Sequence, residues 1–240
     1  MNKSINPVFS YLQSIDYIRG LFIVGSYSRG VCNHDVDLLL ITDDSTDKYD
    51  LSRKLSLHLS AENMFVNDDS IACRISGSDF DFAMLTVKAL FQRADSISNG
   101  TLFAEHRNWC VGYWMPEGFI YDLKNAELMF CKDESIEKCV DGLLSEQNMI
   151  QKRLIDDVKR EILIKSRLRN DGSYYDYIAR SDVLTAFLRL LNLTLDWELT
   201  SFKHIAERLK DSDHSKMIWQ LENAPDDEFE EICKQILEHF

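Results

Sequence analysis

Leu21-Phe22-Ile23-Val24-Gly25-Ser26-Tyr27-Ser28-Arg29-Gly30, followed shortly by Asp35-Val36-Asp37-Leu38-Leu39-Leu40, is the stretch on which the reading of this chain turns. The apolar run Leu21 to Val24 reads as a short strand stopped by Gly25, and Asp35 to Ile41 reads as a second strand. Side chains alternate across a strand, so Asp35 and Asp37 share one face while Val36, Leu38 and Leu40 take the other. Two neighbouring carboxylates repel each other and cost stability, a cost that a multivalent cation between them offsets. Hard oxygen ligands of this sort suit magnesium, which is held by a couple of carboxylates plus water and substrate phosphates.

The turn supplies the complementary half. Gly25 and Gly30 can take backbone angles closed to other residues and let a ligand approach the main chain. A helix beginning near Ser26 to Ser28 would aim its free N–H groups at a phosphate. The Ser26 hydroxyl can donate to a phosphate oxygen, and Arg29 can add a charge-assisted fork. Phosphate cradle and acidic pair would then lie at the ends of adjacent strands, the apparatus of phosphoryl-type transfer. Competing motifs fail on their own terms. Gly30 is followed by Val31-Cys32 rather than the Lys-Ser/Thr of a P-loop, and Tyr27 occupies the nucleophile position of a G-x-S-x-G elbow. No H-E-x-x-H occurs, and the acidic run Asp43 to Asp47 lacks the glycine of an EF-hand, so it reads as a solvated loop.

Outward from this segment the chain divides in two. The first ~135 residues mix short β-like runs with turns, and the remainder has helical periodicity. A helix opens the chain with Val8, Leu12, Ile15 and Ile18 on one face. Ile71 to Ile75 and Phe80 to Leu85 form a hairpin around Ser76-Gly77-Ser78. Gly118 to Tyr121 and Glu127 to Phe130 are read as a second strand pair around Asp122 to Asn125. Beyond, Ile150, Leu154, Val158 and Ile162 draw one helical stripe, and Leu184, Phe187, Leu188, Leu191 and Leu195 another. Shorter helices are expected over Phe202 to Leu209 and Glu228 to Leu237. The acids from Asp226 to Glu231 suit a helix start. The expectation is an α+β protein: a mixed sheet flanked by helices over 1–135, then a helical bundle over 136–240.

The composition bounds the partners. With 240 residues, 45% hydrophobic and 28% charged, the chain falls outside the disordered and collagen-like classes. Its longest uncharged stretch, Ser4 to Ile15, is too short to span a bilayer, and the N-terminus lacks the pattern of a secretory signal. A cytoplasmic location without membrane association is the expectation. The formal net charge is −13, which disfavours polynucleotides and anionic surfaces and favours a small or cationic partner. The six cysteines form no C-x-x-C pair and read as reduced, buried thiols.

The order Gly25-Ser26-x-x-Arg29 then Asp35-Val36-Asp37-Leu38 resembles the signature of the polymerase-β-type nucleotidyltransferase superfamily. Its bacterial small-molecule branch modifies kanamycin, streptomycin and lincosamides. The resemblance covers roughly the N-terminal half and implies a nucleotidyltransferase domain. It implies nucleotidyl transfer from a nucleoside triphosphate, ATP among them, with two magnesium ions held by Asp35, Asp37 and the triphosphate. It also implies a third carboxylate on a later strand. Asp81 fits as metal ligand or as general base on the acceptor hydroxyl, with Asp79 as the other candidate. Gly25, Ser26 and Arg29 would hold the triphosphate, and the run from Gly118 to Met129 looks like the closing strands of such a domain. The implied acceptor is a small molecule such as an antibiotic, which would make the activity one of antibiotic resistance. The alternatives are an acceptor on tRNA or protein, as in toxin–antitoxin enzymes, and an inactive binding module. A homodimer is left open.

Other residues compete for roles. Seven bases against three acids between Lys152 and Arg169 could clamp a triphosphate, although a solvated helix face explains them as well. Arg180 is a second clamp candidate. Tyr174, Tyr175 and Tyr177 could stack on a base or pack between helices. His106, Trp109 and Trp114 would line core or cleft.

Overall fold

Two apolar strands sit at the centre of a mixed sheet because both faces of each find cover. The computed structural model describes residues 6–30, 35–101, 116–167, 174–194 and 213–240, with the backbone alone for 174–177 and 213. Helix α1 (Asn6–Ser14) buries Val8, Phe9 and Leu12. It stops four residues earlier than the apolar spacing suggested, and Ile18 instead begins strand β1 (Ile18–Ile23). The one-turn helix α2 (Gly25–Ser28) then leads toward β2 (Asp35–Thr42). β1 and β2 pair antiparallel with Phe22 opposite Leu39. Ile18, Leu21, Ile23, Val36, Leu38 and Leu40 are all buried in the core they share. Burying each such side chain stabilises the fold by about 1.5–3 kcal/mol.

The acidic run after β2 has structural duties rather than lying free in solvent. Arg19 donates to both carboxylate oxygens of Asp43, at 2.6 and 2.8 Å. Asp47 caps helix α3 (Lys48–Leu59) by accepting the Tyr49 N–H at 2.8 Å. Strands β3 (Glu62–Val66), β4 (Ser70–Ile75) and β5 (Ser78–Thr86) follow as a meander. The β4–β5 hairpin closes on two residues, Ser76 and Gly77, both in the left-handed region with φ 52° and 86°. Two positive φ values match the twist of a two-residue hairpin.

β5 returns beside β2 and runs parallel to it, the long crossover being supplied by α3, β3 and β4. The chain continues through α4 (Val87–Asn99), capped by Thr86 Oγ, which accepts the Ala89 N–H at 3.1 Å, and ended by Gly100 at φ 70°. Residues Gly118 to Tyr121, expected as a strand, lie instead in helix α5 (Pro116–Lys124). A four-residue apolar run does not distinguish strand from helix, and Pro116 with Glu117 in the first turn is a helix opening. The expected partner does form strand β6 (Glu127–Cys131), but it pairs with β1. Among the described residues the sheet order is β3-β4-β5-β2-β1-β6. Helix α6 (Glu134–Ser145), capped by Asp133, follows.

The rest is helical, as expected: α7 (Gln147–Arg167), α8 (Tyr174–Thr194), α9 (Asp213–Asn223) and α10 (Phe229–Leu237). α7 buries the stripe Ile150, Leu154, Val158 and Ile162 as read from its spacing. On α8, Phe187 and Leu191 of the expected stripe are buried together with Val183, Ala186, Leu190 and Leu193, while Leu184 and Leu188 are half-buried. Apolar residues surround this helix, so its pattern did not fix its orientation. Arg189, buried on α8, donates to Glu117 at 2.8 Å and to Glu161 at 3.4 Å. Residues Phe202 to Leu209 and Leu195 lie outside the described residues. The chain forms two compact units, Met1–Leu102 with Asp122–Glu146 and Phe103–Tyr121 with Gln147–Phe240. None of the described helices is long and apolar enough to cross a membrane.

Candidate active site

The parallel pairing of β2 and β5 brings the acidic residues together. In register, Asp35 stands beside Asp79 and Asp37 beside Asp81. Val36 and Leu38 stand beside Phe80 and Phe82 on the buried face. Both strands alternate in phase, so the four aspartates share the opposite face at the start of the two strands. Asp79 has Arg74 3.7 Å away across the β4–β5 ladder. The other three acids hold their protons more tightly than ordinary carboxylates. Burial raises Asp35, with the charge of Asp79 adding to it. Asp81 is raised by burial and then by Asp35. Asp37 is pushed up to about 6 by burial and by Asp35 and Asp81, against the Ser26 N–H and Arg29, which favour its charged form. Buried and mutually repelling acids at one end of a sheet cost stability, which makes this group the candidate active site.

The Gly-Ser turn lies directly against this group. Gly25 has φ +67°, and a Cβ there would lie 2.7 Å from Cγ of Asp37 and closer still to its Oδ2. Only glycine lets the turn and the carboxylate occupy this space. The Val24 N–H donates to the Asp37 carbonyl at 2.9 Å, tying the end of β1 to β2. Ser28 Oγ donates back to the Gly25 carbonyl at 2.9 Å, and the Gly30 N–H to the Tyr27 carbonyl at 3.0 Å. The Gly25 N–H favours the charged form of the Asp122 carboxylate, and the Ser26 N–H that of Asp37. The Ser26 side chain beside them is half-buried.

Asp122 is the member of the site that sequence reasoning missed. The sequence pattern puts it in a polar turn between strands, but it sits near the end of α5 and is 4% exposed. Its Oδ1 lies 3.8 Å from Nη1 of Arg29. Burial pushes its carboxyl up to about 7, with Asp37 adding to the rise while Arg29 and the Gly25 N–H oppose it. The helix opening Pro116-Glu117 was the available signal, because a helix instead of a strand over 118–121 turns Asp122 from a turn tip into a packed position.

The remaining candidates fall elsewhere. Arg180 donates to the carbonyls of Glu222 and Ala224, at 2.8 and 2.6 Å, and to Asp226 at 3.2 Å, thereby fastening the end of α9. Along α7, Lys165 pairs with Glu161 and Asp182, Arg160 with Asp157, and Arg167 with Glu230. Cys73 and Cys233 are buried free thiols, and Cys131 and Cys139 half-buried ones. The side chains of Tyr174, Tyr175 and Tyr177, together with Cys32, Cys110, His106, Trp109, Trp114 and Arg169, lie outside the described residues.

Among the described residues no three His, Cys, Asp or Glu side chains converge into a ready metal cage. The donor set nonetheless fits a hard divalent cation: carboxylates in register on one face, each raised by the charge of another, which a cation would relieve.

By sequence, no family profile and no curated protein matches the chain. Among solved structures it is similar to a nucleotidyltransferase-like protein from Exiguobacterium sibiricum, at 17% identity and a TM-score of 0.44, covering 99% of this chain and 73% of that one. It is also similar to a toxin–antitoxin crystallised with AMP-PNP, at 17% identity and a TM-score of 0.32, over 64% of this chain and 96% of that one. A mutant of the toxin–antitoxin MntA-HpeT gives 15% identity and a TM-score of 0.33, over 66% and 98%. Likenesses this distant carry no functional argument.

Proposed function

We propose that the chain is a divalent-metal-dependent nucleotidyltransferase. The observation that carries this reading is the in-register meeting of Asp37 with Asp81 and of Asp35 with Asp79, on one face, beside a turn that only glycine can form. The acceptor oxygen attacks the α-phosphorus of a nucleoside triphosphate. The bond from that phosphorus to the bridging oxygen breaks, and pyrophosphate leaves with the electron pair. The acceptor proton passes to a carboxylate, for which Asp81 is suited because its proton affinity is already raised. Magnesium ions held by Asp35 and Asp37 would neutralise charge on the attacking and departing oxygens. The Ser26 hydroxyl would donate to a phosphate oxygen, and Arg29 would supply charge-assisted hydrogen bonds.

The net charge of −13 favours a small or cationic hydroxyl acceptor, such as an aminoglycoside antibiotic. A polynucleotide acceptor would need a contiguous basic surface. On α7, the candidate for one, Arg160, Lys165 and Arg167 are already committed to acids. An inactive binding module would have no need of acids that cost stability.

The test is transfer from labelled triphosphates, with magnesium, to pooled aminoglycosides, tRNA and cell lysate. Label should appear in the small-molecule fraction. Asp81→Asn should lower the rate by roughly 10²-fold or more, as for loss of a general base. Asp79→Asn, whose carboxylate already faces Arg74, should stay within about tenfold. Undiminished transfer by the Asp35→Ala/Asp37→Ala double variant overturns the proposal.

A further inference from the structure

We infer that Asp122 is a positioning residue for the triphosphate-binding turn, a single buried carboxylate that holds both ends of the Gly25–Arg29 segment. At the entry of the turn the Gly25 N–H favours its charged form. At the exit it faces the Arg29 guanidinium at 3.8 Å. The inference rests on the nucleotidyl-transfer reading above and deepens it by assigning a residue outside the sequence signature.

Three observations support the assignment. First, Asp122 is 4% exposed, and its Oδ1 is buried with no hydrogen-bond partner of its own. An under-satisfied buried carboxylate is costly, and a purely packing position on an apolar helix face would be better served by a hydrocarbon side chain. Second, Leu123, the next residue on α5, is buried and apolar, so the helix end that carries Asp122 is fixed by packing. A group held on a packed helix turn is a better reference point for a short turn than one carried on a loop. Third, Gly25 and Arg29 are also the residues that bear on Asp37: one makes room for its carboxylate and the other favours its charge. Asp122 therefore sets the turn, and through the turn sets Asp37 and Arg29 relative to each other.

The geometry gives Arg29 a defined place beside Asp122. At 3.8 Å the Asp122–Arg29 contact is an ion pair longer than a hydrogen bond. The guanidinium is a fixed plane, so a carboxylate at one side of it sets the direction of the whole group.

The test is a double-mutant cycle read as nucleotide affinity. The probes are the α,β-methylene analogues of the four common ribonucleoside triphosphates with magnesium, titrated calorimetrically into the full chain. Asp122→Asn keeps the shape and an acceptor for the Gly25 N–H but removes the charge that orients Arg29. It should weaken binding by roughly tenfold, as should Arg29→Gln, and the double variant should bind no more weakly than Arg29→Gln alone. Circular dichroism of each variant confirms that the chain is folded, and the paired neutral substitutions leave no buried charge stranded. If Asp122→Asn binds as tightly as the native chain, or if the two effects add fully, the inference falls while the functional reading stands. If the native chain binds none of the four analogues, it is the functional reading that fails.

Discussion

Replacing Asp37 with asparagine should make the protein more stable while removing its activity. Asp37 is half-buried between two other carboxylates and is raised from 3.8 to about 6. A displacement of about two pKa units corresponds to on the order of 3 kcal/mol of unfavourable energy in the charged form. The sign follows from linkage. A carboxyl raised on folding binds its proton more tightly in the native state. Its contribution is therefore fully present below the unfolded pKa and is lost as pH rises through the folded value near 6. Asparagine keeps an oxygen to accept the Ser26 N–H and carries no charge to lose. The native chain should thus lose stability between about pH 4 and pH 7 relative to Asp37→Asn, and the gap should stay constant above that window. Some desolvation cost persists for the amide, so the expected gain near pH 8 is about 1–3 kcal/mol. Thermal melts of both proteins across that range, with and without magnesium, are the assay. Magnesium should close the gap by stabilising the native chain more than the variant. A gap of equal size at about pH 4 and pH 8, or a variant less stable than the native chain throughout, would refute the electrostatic account of the dyad.

Gly25→Ala should be damaging out of proportion to its size. It places a Cβ 2.7 Å from Cγ of Asp37 at φ +67°, so the melting temperature should fall, by about 1–3 kcal/mol of stability, and transfer should be lost with it. In the second unit, Arg189→Ala leaves Glu117 buried without its partner, and denaturant titration should show a loss of about 3–5 kcal/mol. Arg189→Ala with Glu117→Gln should recover part of that loss, because the stranded charge is gone.

The sequence by itself settled what depends on local order. Alternation along β2 fixed Asp35 and Asp37 on one face, the four-residue spacing from Ile150 to Ile162 fixed the buried side of α7, and Ser76-Gly77 fixed the hairpin that delivers β5. These follow from strand and helix periods and from backbone angles, which neighbours in sequence determine. Position across the sheet is another matter. Which of Asp79 and Asp81 would stand beside Asp37 depended on the register of a parallel pair joined through α3, β3 and β4, and no local pattern encodes such a register. Residues 118–121 were apolar in a way that suited strand or helix equally, so only their packing decided that α5 would carry Asp122 to the Gly25 turn. Once there, Asp122 stands 3.8 Å from the Arg29 guanidinium, a contact no local pattern encodes. Hydrogen-bond partners are allotted by proximity in space, and proximity between residues nearly a hundred positions apart exists only in the folded chain.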